Sequence, residues 1–473
     1  MTELFWTYWP WVTSAALFAV DVVATGHIVL FKRDTRAAIG WVGLIWFVPG
    51  FGVLLYVFFG INRIRRRAKR LRQRSALTPT PNTDEGQAPA DGIDSLRRLV
   101  GHVTGRPTTP GNRIRPLLGG EVAYTEMLAA IATAERSIAL SSYIFDNDAI
   151  GRTFVAALAD ATRRGVAVRV LIDDIGSRYS FPSIVGRLKR EGVPVARFMP
   201  SLLPWRFAYA QLRNHRKLMV IDGRVGFTGG MNIRDGHDTR TASRYPITDC
   251  HFRIEGPVVA DLRAVFVDDW QFATRERLTG PDWFPPLEPA GGVVARGIAS
   301  GPNDDFDKLR LACLGALSAA RRSVTIVTPY FLPDDGLVSA LGVAALRGVT
   351  VDILLPERNN LLLVHWAMIG QLPPILEHGC RVWLARPPFD HTKLFLVDGE
   401  WCLIGSANWD ARSFRLNFEF DVECYDPELV GELAARVGPK LATARRLTLE
   451  DLHRRNLLIR LRDGIARLAS PYL

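Results

Sequence analysis

The stretch NHRKLMVIDGRVGFTGGMN, residues 214–232, returns as HTKLFLVDGEWCLIGSAN at residues 391–408. Each copy sets a His, a Lys two residues on, an Asp five beyond the Lys, then Gly-Gly or Gly-Ser, and an Asn ten residues after the Asp. The apolar run after each Lys (Leu218 to Ile221, Leu394 to Val397) stops at Asp-Gly and reads as a strand closed by a turn. Side chains two apart on a strand share a face, so His215 projects with Lys217 and His391 with Lys393. Two imidazoles and two ammonium groups meeting at one point suit a phosphodiester. The lysines neutralise its non-bridging oxygens, one His attacks phosphorus, and the other handles the proton of the leaving alcohol. Asp222 and Asp398 are grouped with this catalytic set by the motif, although a place at a strand-to-turn junction points to holding local structure.

The duplication extends outside the motifs. Residues 134–140 (AERSIAL) match 320–326 (ARRSVTI), 164–172 (RGVAVRVLI) match 347–355 (RGVTVDILL), and 191–195 (EGVPV) match 378–382 (HGCRV). Each is a helix end leading into a buried strand, with a Gly at the join in the second and third pairs, which predicts an α/β fold. Two halves, each a mixed sheet flanked by helices, are expected to face each other across a pseudo-twofold axis and share one site. The expected divisions are a transmembrane helical hairpin over 1–62, a basic and polar linker over 63–110, and halves over 111–285 and 286–473, the second closing with a C-terminal helix.

Two apolar stretches, 4–31 and 37–60, are each long enough for a bilayer, which takes about 20 residues. The first lacks the basic start and small-residue cleavage site of a signal peptide. Trp6, Tyr8, Trp9 and Trp11 make an interfacial belt, and Asp21, costly in lipid, is expected to face the partner helix or a water-filled gap. Of the net charge of +11, residues 1–74 carry +8: three Lys/Arg by Arg36 and eight from Arg63 to Arg74, against Glu3, Asp21 and Asp34. The remaining +3 argues against a nucleic-acid partner. The basic residues flanking the hairpin predict an inner-membrane protein with both termini and the catalytic part cytoplasmic, drawn to anionic lipid. Five scattered cysteines form no CxxC or Cys/His cluster and no P-loop is present, so neither a metal nor another cofactor is expected.

Residues 75–92 read as a disordered linker and 94–103 as a short helix. The aromatic segment between Phe198 and Leu212 is open to two readings, a cap over the core or a lipid entry. The closing segment (Leu452, Leu457, Leu458, Leu461, Ile465 and Leu468 among arginines) is a helix, packed on the catalytic part or touching anionic lipid.

The duplicated motif resembles the phospholipase D superfamily. With RAAIGWVGLIWFVPGFGVLLYVFFG (36–60), whose Pro49 and Gly52 would loosen the second helix, and the closing Arg-Leu-x-Ser-Pro-x-Leu, it resembles the bacterial cardiolipin synthase branch. That resemblance implies a membrane-bound phosphatidyltransferase. One phosphatidylglycerol would form a phosphatidyl-histidine on His215 and release glycerol with His391 as acid; a second would take the phosphatidyl group, giving cardiolipin. The near symmetry of the motifs leaves the choice of nucleophile open. The resemblance also implies that Asn232 and Asn408 bind the substrate phosphate and that downstream carboxylates, Asp249 in ITDCHFRIEGP and Glu419 in RSFRLNFEF, orient the imidazoles. A phospholipase D or transphosphatidylase using water or another alcohol or phospholipid as acceptor is the alternative. The sequence departs from the branch in YPITD before Asp249, in residues 234–244, and in Thr392; oligomeric state is unknown.

Overall fold

The computed structural model describes residues 2–32, 35–60, 92–200, 212–241, 243–302 and 305–470. The basic run 63–74, the linker at 75–91 and most of the aromatic segment, 201–211, lie outside the described residues. The chain divides into an N-terminal helical unit and a larger α/β unit.

In the N-terminal unit the helix Thr2–Phe31 contains a stretch, Tyr8–Phe31, long and apolar enough to cross a membrane. The second apolar stretch differs from the expected second span. It forms the helix Thr35–Phe47, breaks at Pro49 and Gly50, and continues as Phe51–Leu55 and a π-helical turn, Tyr56–Gly60. Gly50 has a φ of 74°, and a Cβ on Gly52 would lie 2.6 Å from the Leu44 carbonyl oxygen, so the returning segment lies directly against the outgoing one. Contacts with the first helix give the direction of travel. Trp46 donates to Thr25 (3.2 Å) and Gly50 N–H to Asp21 (3.3 Å); then His27 meets the Tyr56 hydroxyl (2.8 Å) and Lys32 donates to the Gly60 carbonyl (3.0 Å). The stretch therefore climbs to the level of Asp21 and returns to that of Lys32, a helical pair that reverses alongside the first helix. The cause is local: proline interrupts the helical bonds, the two glycines permit the tight reversal, and Asp21 accepts an N–H freed at the break.

The strands of the α/β unit in chain order are β1 Thr109–Leu118, β2 Ser137–Ser142, β3 Ala167–Asp173, β4 Val195–Phe198, β5 Arg213–Asn214, β6 Leu218–Ile221, β7 Val225–Gly229, β8 Ile247–Thr248 and β9 Cys250–Glu255. They continue with β10 Val293–Ser300, β11 Ser323–Val327, β12 Phe331–Leu332, β13 Thr350–Pro356, β14 Arg381–Ala385, β15 Phe389–Asp390, β16 Leu394–Val397, β17 Trp401–Gly405, β18 Trp409–Asp410, β19 Asn417–Tyr425 and β20 Arg445–Leu447. One mixed sheet runs through both halves, which join where β1 and β10 pair antiparallel. Outward from that junction the order is β1-β9-β7-β6-β2-β3-β4 on one side and β10-β19-β17-β16-β11-β13-β14 on the other. The three repeated sequence pairs fall on β2 and β11, β3 and β13, and β4 and β14.

Each half buries its own apolar set, around Phe154, Leu158 and Val170 in the first and Leu341, Ile353 and Phe395 in the second. A third cluster spans the junction, joining Leu262 and Phe266 of the helix Val259–Thr274 to Leu433 and Val437 of the helix Pro427–Thr443 across Phe252 and Phe420. At about 1.5–3 kcal/mol per buried large side chain, this cluster binds the halves firmly together. The expected short helix spans Gly92–Thr104, and its Leu96 and Val100 enter the core of the second half. All five cysteines are buried and free.

Candidate active site

β6 and β16 are buried along their whole length, and each is preceded by its His and Lys. What fixes those His residues comes from the opposite half. β5 runs parallel to β19, and His215 N–H donates to the Phe418 carbonyl (2.9 Å); β15 runs parallel to β8, and His391 N–H donates to the Thr248 carbonyl (2.7 Å). The next residue on each supporting strand is the carboxylate. Thus His215 Nδ1 lies 2.9 and 3.0 Å from the two Glu419 oxygens, and His391 Nδ1 lies 2.8 Å from Asp249 Oδ2. The carboxylates are exchanged: each orients the imidazole of the other half. With Nδ1–H donated to a carboxylate, Nε2 of each ring keeps the lone pair for chemistry.

Lys217 donates to the His215 carbonyl (2.7 Å), and Lys393 to the His391 carbonyl (2.5 Å) while also lying 3.0 Å from His391 Nδ1. The two clusters feel each other: Lys393 bears on His215, and Lys217 and His215 bear on His391. All four side chains are buried. Burial, opposed by Glu419 and aided by Lys217, lowers His215 to about 4, and burial with the neighbouring lysines holds His391 well below its ordinary value. Burial, opposed by nearby carboxylates, brings Lys217 down to about 7 and Lys393 to about 8. The site is a buried cluster of neutral imidazoles and of lysines whose charge burial disfavours, an arrangement that suits an anionic diester.

The two carboxylates are not equivalent. Glu419 accepts from Ser406 (2.6 Å), Ser413 (2.9 Å) and Asn417 (3.1 Å) besides His215. Burial opposes its charge, but His215, Lys217 and these donors outweigh burial and hold the carboxyl below its usual range. Asp249 accepts only Cys250 N–H (2.8 Å) beyond His391 among the described residues, and burial raises it. The Gly-Gly and Gly-Ser variants of the motif match this difference. Ser406 supplies a hydroxyl to Glu419, whereas a Cβ on the corresponding Gly230 would fall 2.5 Å from Asp249 Oδ1.

The aspartates of the motif are not brought to the site. Asp222 accepts backbone N–H groups of Glu135, Arg136 and Ser137, and Asp398 those of Arg321, Arg322 and Ser323. With φ of 50° and 56°, they tie the turn after β6 and β16 to the start of β2 and β11. Their grouping with the catalytic residues is corrected accordingly. Asn232 and Asn408 are both buried; Asn232 Oδ1 accepts Ile144 N–H (3.1 Å), and Asn408 Oδ1 has no hydrogen-bond partner among the described residues.

Several site residues were missed. Tyr143 stands edge-on to His215 at 5.0 Å, and Tyr330, Phe389 and His237 surround His391 at 6.3, 6.0 and 6.0 Å between ring centres. His237 belongs to the departing stretch 234–244, whose 3₁₀ turn Asp235–His237 buries it. Thr392 is also buried, its N–H bonded to Asp390 (3.0 Å). His237, Asp249 and His391 offer ligand atoms within 4.8 Å of one another and are the residues that could hold a metal. The Lys393 ammonium beside His391 Nδ1 works against a cation there, so the electrostatics favour an anion.

A family model described as "Cardiolipin synthase, PLD-like domain" matches residues 127–241 and 314–438, and one described as "Phospholipase_D-nuclease N-terminal" matches 19–60. The chain is 31% identical over 477 residues to the major cardiolipin synthase ClsA of Bacillus subtilis, covering 97% of this chain and 98% of that one. It is 34% identical over 461 residues to cardiolipin synthase A of Pseudomonas aeruginosa, covering 95% and 94%. The chain belongs to the cardiolipin synthase family of phospholipase D-like proteins. Among solved structures, phosphatidylserine synthase of Haemophilus influenzae shares the fold, with a TM-score of 0.63 at 14% identity over 80% of this chain and all of that one. The two family matches contain the two motifs, while Asp249 lies beyond the end of the first and Glu419 within the second.

Proposed function

We propose that this family member is a cardiolipin synthase that transfers a phosphatidyl group from one phosphatidylglycerol to another through a phosphatidyl-histidine. The observation that carries the reading is the reciprocal pairing of His215 with Glu419 and His391 with Asp249 around Lys217 and Lys393. Nε2 of His215 attacks phosphorus, and the bond to the glycerol oxygen breaks as His391, which takes up a proton on Nε2 when the anionic diester binds, donates that proton to the leaving oxygen. The anionic diester supplies the negative charge that lets His391 hold this proton. His391 then takes the proton from a headgroup hydroxyl of a second phosphatidylglycerol, whose oxygen displaces the histidine. Asn232 and Asn408 are assigned to the phosphate oxygens. Asp222 and Asp398 brace the strands that present the histidines.

The asymmetry of the carboxylates supports His215 as nucleophile. A phosphorylated imidazole is cationic and needs an ionised partner, which Glu419 with its four donors provides; an acid must release its proton again, which the less stabilised Asp249 favours at His391. One phosphodiester replaces another, so the exchange requires no nucleotide. A dry site and high local lipid concentration favour a lipid alcohol over water. The proposed location is the inner membrane, anchored by the N-terminal helix, with the arginine-rich end of the anchor and the α/β unit cytoplasmic.

The test is product analysis with purified protein in phosphatidylglycerol vesicles. Cardiolipin and glycerol should appear in equal amounts, and His215→Ala and His391→Ala should abolish both. Phosphatidic acid as the main product would replace this reading with a phospholipase D using water.

A further inference from the structure

The loops after β3 and after its counterpart β13 each carry exposed apolar side chains and lead back to the aromatic residue beside that half's histidine. After β3, Tyr179 and Phe181 stand in solvent, and the Tyr179 ring lies 6.3 Å from Tyr143, itself the neighbour of His215. After β13, Asn360 accepts from the Tyr330 hydroxyl (2.8 Å), Tyr330 is the neighbour of His391, and Leu361, Leu362 and Leu363 follow, all exposed. Leu362 and Leu363 open the helix Leu362–Gln371, against which the C-terminal helix Leu457–Leu468 packs, with Arg462 over Trp366 at 4.4 Å. That helix turns Leu457, Leu458, Leu461, Ile465 and Leu468 outward, each 52–77% exposed. Around them, residues 454–467 hold five arginines against Asp463 alone among acidic residues.

We infer that these loops and the outward face of the C-terminal helix form a rim that seats in an anionic phospholipid surface and brings the histidines to headgroup depth. The inference rests on the proposed lipid substrate and adds how that substrate reaches the site. A two-tailed phospholipid is too insoluble to diffuse as a monomer, so a buried site must meet it at the interface. Apolar tips inserted among acyl chains, with arginines at phosphate level, are the chemistry of such a contact. The arginine excess selects an anionic bilayer over a second copy of this chain, which would bring the same positive charge to the same face.

Because the native cysteines are buried, a cysteine introduced at an exposed position can be labelled selectively. Full-length Phe181→Cys and Leu362→Cys proteins, labelled with an environment-sensitive fluorophore and reconstituted in phosphatidylglycerol vesicles, should shift to the blue and be quenched at least two-fold by chain-brominated lipid. An Arg163→Cys control on an exposed helix end should respond to neither. In parallel, Leu361→Ser/Leu362→Ser/Leu363→Ser should lose at least ten-fold in turnover on vesicles while keeping wild-type turnover on a short-chain, monomerically dispersed phosphatidylglycerol. Absence of quenching at both positions overturns the rim, and so does a blue shift in detergent that grows with protein concentration, which would mark a self-association surface. Quenching without cardiolipin formation would leave the rim standing and overturn the proposed reaction.

Discussion

Replacing Glu419 with Gln removes one negative charge from the site and changes almost no volume. The carboxylate is wholly buried and accepts from four donors, with His215 Nδ1 at 2.9 Å and the Ser406 hydroxyl at 2.6 Å. An amide has one acceptor oxygen and one NH₂, so the four donors cannot all be met. If the NH₂ faces His215, it demands the Nδ1 lone pair and moves the ring proton to Nε2, the nitrogen that must attack. The equivalent change in a Ser-His-Asp triad costs about 10⁴-fold. If the NH₂ turns to a serine, which can rotate to accept, His215 keeps its tautomer but loses a charged hydrogen bond, about 1.5–3 kcal/mol or roughly 10–150-fold. The expected loss of turnover is therefore about 10- to 10⁴-fold, at about 1.4 kcal/mol per decade.

The assay is glycerol release in the first turnover, because in the proposed mechanism the formation of phosphatidyl-histidine is the step that needs the His215 lone pair. Folding should survive: neutralising Glu419 relieves like-charge repulsion on buried Asp421 and Asp410, and the thermal midpoint should stay within a few degrees of wild type. A folded variant whose first-turnover glycerol release lies within ten-fold of wild type would refute the role given to Glu419, and with it the exchanged pairing as the basis of catalysis.

With Lys217 near 7 and Lys393 near 8, protons leave as pH rises, so kcat/KM should fall between about pH 7 and 9 while kcat falls less, because a bound anionic substrate favours the charged form of both lysines. Constant kcat/KM across that range would count against electrostatic capture by these lysines. Asp398→Ala strands three backbone N–H groups at the start of β11 and should lower stability by about 1–3 kcal/mol in thermal melts, with turnover per folded molecule within a few-fold of wild type. A far larger loss of turnover at unchanged stability would restore it to the catalytic set. Because the helical pair returns to the level of Lys32, a cysteine at Thr2 should be labelled by an impermeant maleimide from outside the cell and one at Ser75 only after lysis. Labelling of both from the same side would reinstate two full spans.

The sheet was legible because its evidence is periodic and doubled: repeated helix-to-strand segments mark β2, β3 and β4 against β11, β13 and β14, and the motif frames locate β6 and β16. The paired His and Lys and the two carboxylates beside the histidines were legible too, but not their partnerships. Spacing ties Glu419 to the motif in its own half, eleven residues after Asn408, whereas its bond is made to His215, because β5 of one half lies beside β19 of the other. A contact between halves leaves no local spacing to read. His237 was hidden for a related reason, since a 3₁₀ turn with no hydrophobic period carries it to His391. Hydropathy registered the apolar length of 37–60 but not the reversal at Pro49, which a window average smooths away. The exchange of carboxylates also bears on why the two halves remain in one chain. Each half supplies a nucleophile-type imidazole and the carboxylate for the other imidazole, so separating the halves disarms both histidines at once, and the junctional cluster around Phe252 and Phe420 becomes a condition of catalysis as well as of folding.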